Sequence, residues 1–202
     1  MKKVDKGIVI VIEGLDKSGK KTQSEILAKR LREGGFQVEL IDFPDYSTPI
    51  GREIKAFLIE KRTYPIRVRH LLLATNRWER CEDIKKWLEE GKIVILNRYS
   101  QSNLAYGLAN GLSLSWLMNL ERGLPKAKLV IVIDISPQTS LLREKFNRDI
   151  HEKDLIFLEK VRENYLKLAK RFNWKVINGE RSINDVAKDI WKIVTHSILE
   201  HA

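Results

Sequence analysis

The stretch that most constrains the fold is "GIVIVIEGLDKSGKKTQ", residues 7–23. Five β-branched residues in a row, Ile8 to Ile12, show no polar alternation. That is the pattern of a strand buried on both faces, which a parallel sheet requires. The run stops at Gly14, and Gly19 and Lys20 follow at the spacing G-x-x-x-x-G-K. From Lys20 onward the apolar residues Ile26, Leu27 and Leu31 fall on one helical face. The stretch therefore predicts a strand, a tight loop and a helix start, in that order. Backbone N–H groups in such a loop point inward, and the helix dipole favours an anion. A chance glycine-rich turn would not bring strand, glycines, lysine and helix into register. Gly14, Leu15, Asp16, Lys17, Ser18, Gly19, Lys20, Lys21 and Thr22 thus read as a loop that holds nucleotide phosphates. Lys20 would reach the β- and γ-phosphates, and Lys17 adds a second positive charge.

One letter departs from the pattern. Lys21 stands where a serine or threonine hydroxyl would ligate Mg²⁺. Thr22 offers a hydroxyl one position later, but one helical step turns it by roughly 100°.

Further strands are predicted over 36–43, 92–97, 128–134 and 174–179. Helices are predicted over 20–33, 50–61, 66–90, 137–145, 152–172 and 182–200, with helical pieces in 99–120 broken at Gly107 and Gly111. Alternating strands and helices predict an α/β fold, a mostly parallel sheet with helices on both faces. Ligands then bind beyond the carboxyl ends of the strands, at 14–22, 43–49, 97–106 and 134–143. No linker interrupts the pattern, so a single domain over 1–202 is expected.

The formal net charge of +10 favours phosphate-bearing partners. A nucleic-acid-dependent ATPase would need a second acidic motif and a basic module, and the sequence offers neither. The single cysteine, Cys81, cannot form an internal disulfide, which suits a reducing cytosol. Its plainest reading is a small buried residue. No apolar run approaches the roughly 18 residues of a membrane span.

"EGLDKSGKKTQ", "DFPDYSTPIG", "HLLLATNRWE", "NRYSQSNLAY", "GLPKAKLVIVID" and "WKVINGERSINDV" together resemble the thymidylate kinase family, in order and spacing. The resemblance spans essentially the whole chain. It looks most like the eukaryote-like branch, which carries a basic residue in the phosphate loop, here Lys17. It implies transfer of the ATP γ-phosphate to dTMP, giving dTDP. It also implies a P-loop nucleoside monophosphate kinase fold with a five-stranded parallel sheet. A cytoplasmic homodimer that binds ATP and dTMP, and neither nucleic acid nor membrane, goes with it.

The family's roles carry over position by position. Asp16 matches the loop acid that contacts the dTMP sugar. Phe43 and Pro44 match the pair beside the substrate, and Arg77 the arginine that reads the thymine edge. Arg98 matches the arginine of "DRY", which holds the acceptor phosphate. Ser102, Asn103 and Tyr106 fall where the family lines the dTMP pocket, although ordinary helix residues would look the same. "REKFNRDIHEKD", 143–154, falls on the family's lid, with Arg143 and Arg148 as its cations; a solvated charge run is the alternative. Asn178 belongs to the loop beside the adenine. Lys20, Arg98, Lys17 and Arg148 are the expected catalytic cations.

Four positions break the family pattern. Lys21 lacks the metal-binding hydroxyl, and Asn97 replaces the aspartate of "DRY". Tyr46 replaces a phosphate-contacting arginine, and Leu73 a phenylalanine stacked on thymine. Mg²⁺ is expected with ATP, yet its usual protein ligands are absent at Lys21 and Asn97, so no residue is assigned to the metal. The Lys21 ammonium could occupy the metal position, and Asn97 would then remove a competing carboxylate. Two readings follow: a thymidylate kinase, slow or relaxed in base choice, or a nucleotide-binding homologue with little kinase activity that serves as a regulatory or partner protein.

Overall fold

The computed structural model describes residues 6–143 and 152–199. Its strands are β1 (Ile8–Gly14), β2 (Val38–Asp42), β3 (Ile93–Asn97), β4 (Leu129–Asp134) and β5 (Lys175–Asn178). They form one sheet in the order β2-β3-β1-β4-β5. Every neighbouring pair is parallel. β1 is central, so its run of β-branched residues is covered on both sides; Val9, Ile10, Val11 and Ile12 are at most 1% exposed.

The helices are α1 (Lys20–Glu33), α2 (Pro49–Leu58), α3 (Ile66–Glu79), α4 (Cys81–Glu89), α5 (Ser100–Ala109), α6 (Leu114–Leu120), α7 (Pro137–Leu142), α8 (Glu152–Phe172) and α9 (Ile183–Val194). Alternation sends Ile10 and Ile12 to one face, where they meet Leu27 and Leu31 of α1 and Ile190 of α9. Val9 and Val11 face the other way, against Ile84 of α4 and Tyr99. A third cluster joins Leu104 of α5, Leu117 of α6 and Tyr165 of α8 above Val132. Cys81 is buried, as its plain reading expects.

Local departures from the sequence reading have tertiary causes. The predicted helix 66–90 divides at Arg80, whose N–H bonds to Arg77 O, three residues back. The Arg80 side chain pairs with Asp45 and Asp83, which favours the break. Gly107 does not break α5. A Cβ there would meet the Leu117 side chain at 2.6 Å, so its lack of one lets α5 and α6 pack closely. The break comes at Gly111, with φ 79°. The last helix ends as α at Val194 and continues as a π turn, Thr195–Leu199. The predicted lid lies largely in 144–151, outside the described residues. No helix among the described residues is long and apolar enough to cross a membrane.

Candidate functional site

The carboxyl edge of the sheet carries Gly14, Asp42, Asn97 and Asp134 at four strand ends. The phosphate loop leaves β1 at Gly14, with φ 140°. A Cβ there would meet Ile133 O at 2.4 Å, so the backbone of β4 demands glycine. The loop passes through Lys17 at φ 58° and ends at Gly19 at φ 95°. Gly19 caps α1 without a side chain, and the first turn holds no acid. The positive end of α1 thus stays open to an anion.

Lys20 is buried and folds back on the loop: Nζ donates to Leu15 O at 2.6 Å and lies 3.5 Å from Ser18 Oγ. Burial, then the charge of Arg98, lowers its pKa to about 7. Leu15 and Ser18 are buried beneath it. Lys17, Lys21 and Thr22 are exposed.

Arg98 leaves β3 in a left-handed conformation, φ 65°. Its Nη2 donates to Asp16 Oδ1 at 2.5 Å and its Nη1 to Ser102 Oγ at 3.0 Å. Tyr106 OH donates to Asp16 Oδ2 at 3.3 Å. The neighbouring guanidinium is the main reason the Asp16 carboxyl is held down to about 2. Ser102 Oγ in turn donates to Glu13 Oε2 at 2.6 Å. Glu13 is fully buried and also accepts from Tyr99 N, Ser102 N and Tyr165 OH. A carboxylate at the end of β1 thereby fixes the start of α5 and, through Ser102, the arginine. Sequence reasoning passed over Glu13. Its signal is an acid that directly follows a wholly apolar run, as Asp134 also does after the apolar residues of β4.

All the residues expected on the acceptor side line one cavity of about 400 Å³. Asp16, Arg98, Ser102 and Tyr106 border it where it meets the phosphate loop. Phe43, Pro44 and Tyr46 come from the segment after β2, Leu73 and Arg77 from α3, and Asn103 from α5. Arg77 is no surface arginine: its side chain is 4% exposed. Its Nε donates to Glu121 Oε2 at 2.9 Å, and its Nη2 pairs closely with Glu121 Oε1. Asn103 Nδ2 donates to the same Glu121 at 2.8 Å, and Asn103 Oδ1 lies 2.6 Å from His70 Nδ1. Burial pushes the His70 pKa down, which favours the neutral ring. Asn110 Nδ2, a donor, faces His70 Nε2 at 3.3 Å, which assigns the ring proton to Nδ1. His70, Arg69, Phe57 and Asn110 also line the cavity, and sequence reasoning missed them. His70 lies inside "HLLLATNRWE", whereas Glu121 lies 44 residues from Arg77 with no motif to mark it.

On the opposite side of the loop, Arg143 Nη1 donates to Lys17 O at 3.3 Å and Nη2 to Gly179 O at 3.1 Å. It therefore ties the phosphate loop to the segment after β5. Asn178 closes β5, exposed, and its Oδ1 accepts from Glu180 N at 2.8 Å. Arg148 lies outside the described residues.

At the metal edge the structure corrects one expectation. Asn97 does not leave Lys21 without a carboxylate: Lys21 Nζ lies 4.0 Å from Asp42 Oδ2. Asn97 Nδ2 donates to Asp42 Oδ1 at 2.9 Å. Asn97 Oδ1 is buried and has no hydrogen-bond partner among the described residues. No cluster of three acidic, histidine or cysteine side chains occurs among them. Mg²⁺ travelling with a nucleotide needs only one or two protein oxygens beside phosphates and water. A carboxylate next to an orphaned amide oxygen meets that need, so these residues fit the ion.

Residues 12–190 match the thymidylate kinase family as a whole. The chain is 35% identical to thymidylate kinase of Schizosaccharomyces pombe over 97% of its length and 95% of the relative. It is 36% identical to the Danio rerio thymidylate kinase, covering 92% of this chain and 88% of that one. It is 37% identical to a probable thymidylate kinase of Pyrococcus abyssi, over 96% and 98%. The solved thymidylate kinase of Candida albicans superposes with a TM-score of 0.78 at 31% identity, covering 95% of this chain and 92% of that chain. With the phosphate loop opening on a cavity that it shares through Asp16, and with likeness along nearly the whole length, the chain belongs to the thymidylate kinase family.

Proposed function

We propose that the chain transfers the γ-phosphate of ATP to dTMP, giving dTDP. The observation that carries this reading is the Asp16–Arg98 pair, which stands where the phosphate loop meets the acceptor cavity. A donor in the loop and an acceptor in the cavity would meet there. Phosphoryl transfer needs little covalent chemistry from the protein and depends on positioning and charge neutralisation.

Lys20 leaves Leu15 O and takes a phosphate oxygen of ATP. The open N-terminus of α1 holds the same phosphates through backbone N–H groups. Arg98 holds the acceptor phosphate, kept in place by Asp16 and Ser102. Asp16 and Tyr106 receive the sugar. Arg77 and Asn103 face the base, with their orientation set by Glu121 and His70. Arg143 and Lys17 add positive charge on the donor side, and Arg148 completes it. Asn178 borders the adenine. Asp42 and Asn97 would hold an Mg²⁺ ion that arrives with ATP, and the ion would supply charge neutralisation at the transferred phosphoryl group.

Tyr46 offers a single donor in place of a bidentate clamp. Leu73 offers an apolar wall without a ring. Base choice is therefore looser than with an aromatic residue. The proposal includes a homodimer acting in the cytoplasm, as the family resemblance implies; sedimentation equilibrium tests the dimer. A coupled assay with ATP, Mg²⁺ and dTMP tests the activity, and absence of dTDP-dependent signal contradicts it.

A further inference from the structure

We infer that Asp42 is the carboxylate of the metal–nucleotide site, with Asn97 Oδ1 as its neutral partner, and that Lys21 is a cation that yields this place to the metal. The inference rests on the kinase reading above and concerns how that site replaces its missing ligands.

The placement comes from strand register. β2 and β3 pair so that Asp42 lies beside Asn97, and Asn97 lies beside Ile12 of β1. Gly14, where the phosphate loop begins, is two residues past Ile12. The negative charge absent at position 97 is therefore present one strand further out, at the same level of the sheet. Glu13 cannot serve in its stead, since its oxygens already accept four hydrogen bonds.

The hydrogen bonds fix the orientation of both groups. Asn97 spends its amide N–H on Asp42 Oδ1, which leaves its own oxygen as the unused ligand atom of the side chain. That oxygen is buried without a donor among the described residues. A buried acceptor without a partner is costly, and a cation or its bound water removes the cost. The second carboxylate oxygen, Oδ2, faces Lys21 at 4.0 Å. The side chains of this pair are 69% and 46% exposed, so water screens it and it breaks easily.

Charge decides between the two cations. Should Lys21 swing to the phosphates with no metal present, Asp42 would face those phosphates uncompensated. Like charges at short range repel. Should a divalent cation take the place beside Asp42, Lys21 is released to the phosphates and every charge keeps an opposite neighbour. Lysine thus screens the carboxylate in the free protein without supplying the ligand in the complex.

The test uses Mn²⁺ as the metal and a non-hydrolysable ATP analogue as the nucleotide, with affinities read by calorimetry. Wild type is expected to bind the Mn²⁺-loaded analogue more tightly than the metal-free one. Asp42→Asn keeps the hydrogen bond from Asn97. It should reduce that preference on the order of tenfold, while dTMP binds as before and the metal-free analogue binds at least as tightly as to wild type. Lys21→Met should increase the preference. Asp42→Asn with an undiminished preference, or Lys21→Met with an unchanged or reduced one, would overturn the inference. If Asp42→Asn fails to fold, Lys21→Met decides alone. Failure of the kinase reading looks different: wild type then moves no label from ATP to dTMP, whatever its preference for the metal-loaded analogue.

Discussion

Arg98 Nη2 donates to Asp16 Oδ1 at 2.5 Å, joining the residue just past β3 to the middle of the phosphate loop. The two belong to different halves of the site, so the pair couples them mechanically and electrostatically. Lys20 feels both charges: Arg98 lowers its pKa and Asp16 raises it.

Arg98→Ala should weaken dTMP binding by on the order of tenfold to a hundredfold, the range for losing charged hydrogen bonds. Binding of ATP should change little, because the loop backbone and Lys20 remain. Calorimetry with each nucleotide separately measures both. A larger loss for ATP than for dTMP would move Arg98 to the donor side.

Lys20 titrates near 7 in the free protein because it is buried beside Arg98. A phosphate anion favours the charged ammonium, so the bound pKa is higher. Between the two values, binding takes up a proton. At about pH 8, ATP binding should take up about one proton, read from calorimetry in buffers of different ionisation enthalpy. Below the free pKa the lysine is already charged and the uptake should vanish. Uptake that is identical in Lys20→Met would assign the proton to another group.

Leu73→Phe should sharpen base choice. A ring in that wall adds stacking worth about 1–3 kcal/mol per base. Across dTMP, dUMP, dGMP and dAMP, wild type should show modest ratios of kcat/KM, and the variant larger ones in favour of dTMP. A wild type already strict for dTMP contradicts the loose-pocket reading.

Glu121→Ala should destabilise the fold. It leaves the Arg77 guanidinium buried without its carboxylate and strands the Asn103 amide. Removing one partner of a buried pair costs about 3–5 kcal/mol. Chemical denaturation measures this, and the surviving fraction should show a raised KM for dTMP. A loss under about 1 kcal/mol would mean that Arg77 finds water or another acceptor.

The parts of this site that the sequence made legible are those set by backbone conformation. Gly14 and Gly19 carry φ values that favour glycine, and Lys20 follows at a fixed spacing. Such constraints act over a few residues and leave a motif. The acceptor residues were legible as a resemblance, and the fold brings them around one cavity. What escaped depends on pairing between distant segments. Glu13 matters because Ser102 and Tyr165 reach it from two helices, and Glu121 because Arg77 does. Asp42 lies inside the predicted strand 36–43 with no ligand motif to mark it, and only register sets it beside Asn97. The division of 66–90 at Arg80 has the same origin, since Asp45 comes from the segment after β2.

The central claim is the transfer itself. The direct measurement incubates the protein with γ-labelled ATP, Mg²⁺ and dTMP, then separates the nucleotides. Label should appear in dTDP in step with loss from ATP, and Lys20→Ala should abolish it at saturating ATP. Label released only as inorganic phosphate, or no turnover by a wild type that binds both nucleotides, would contradict the claim.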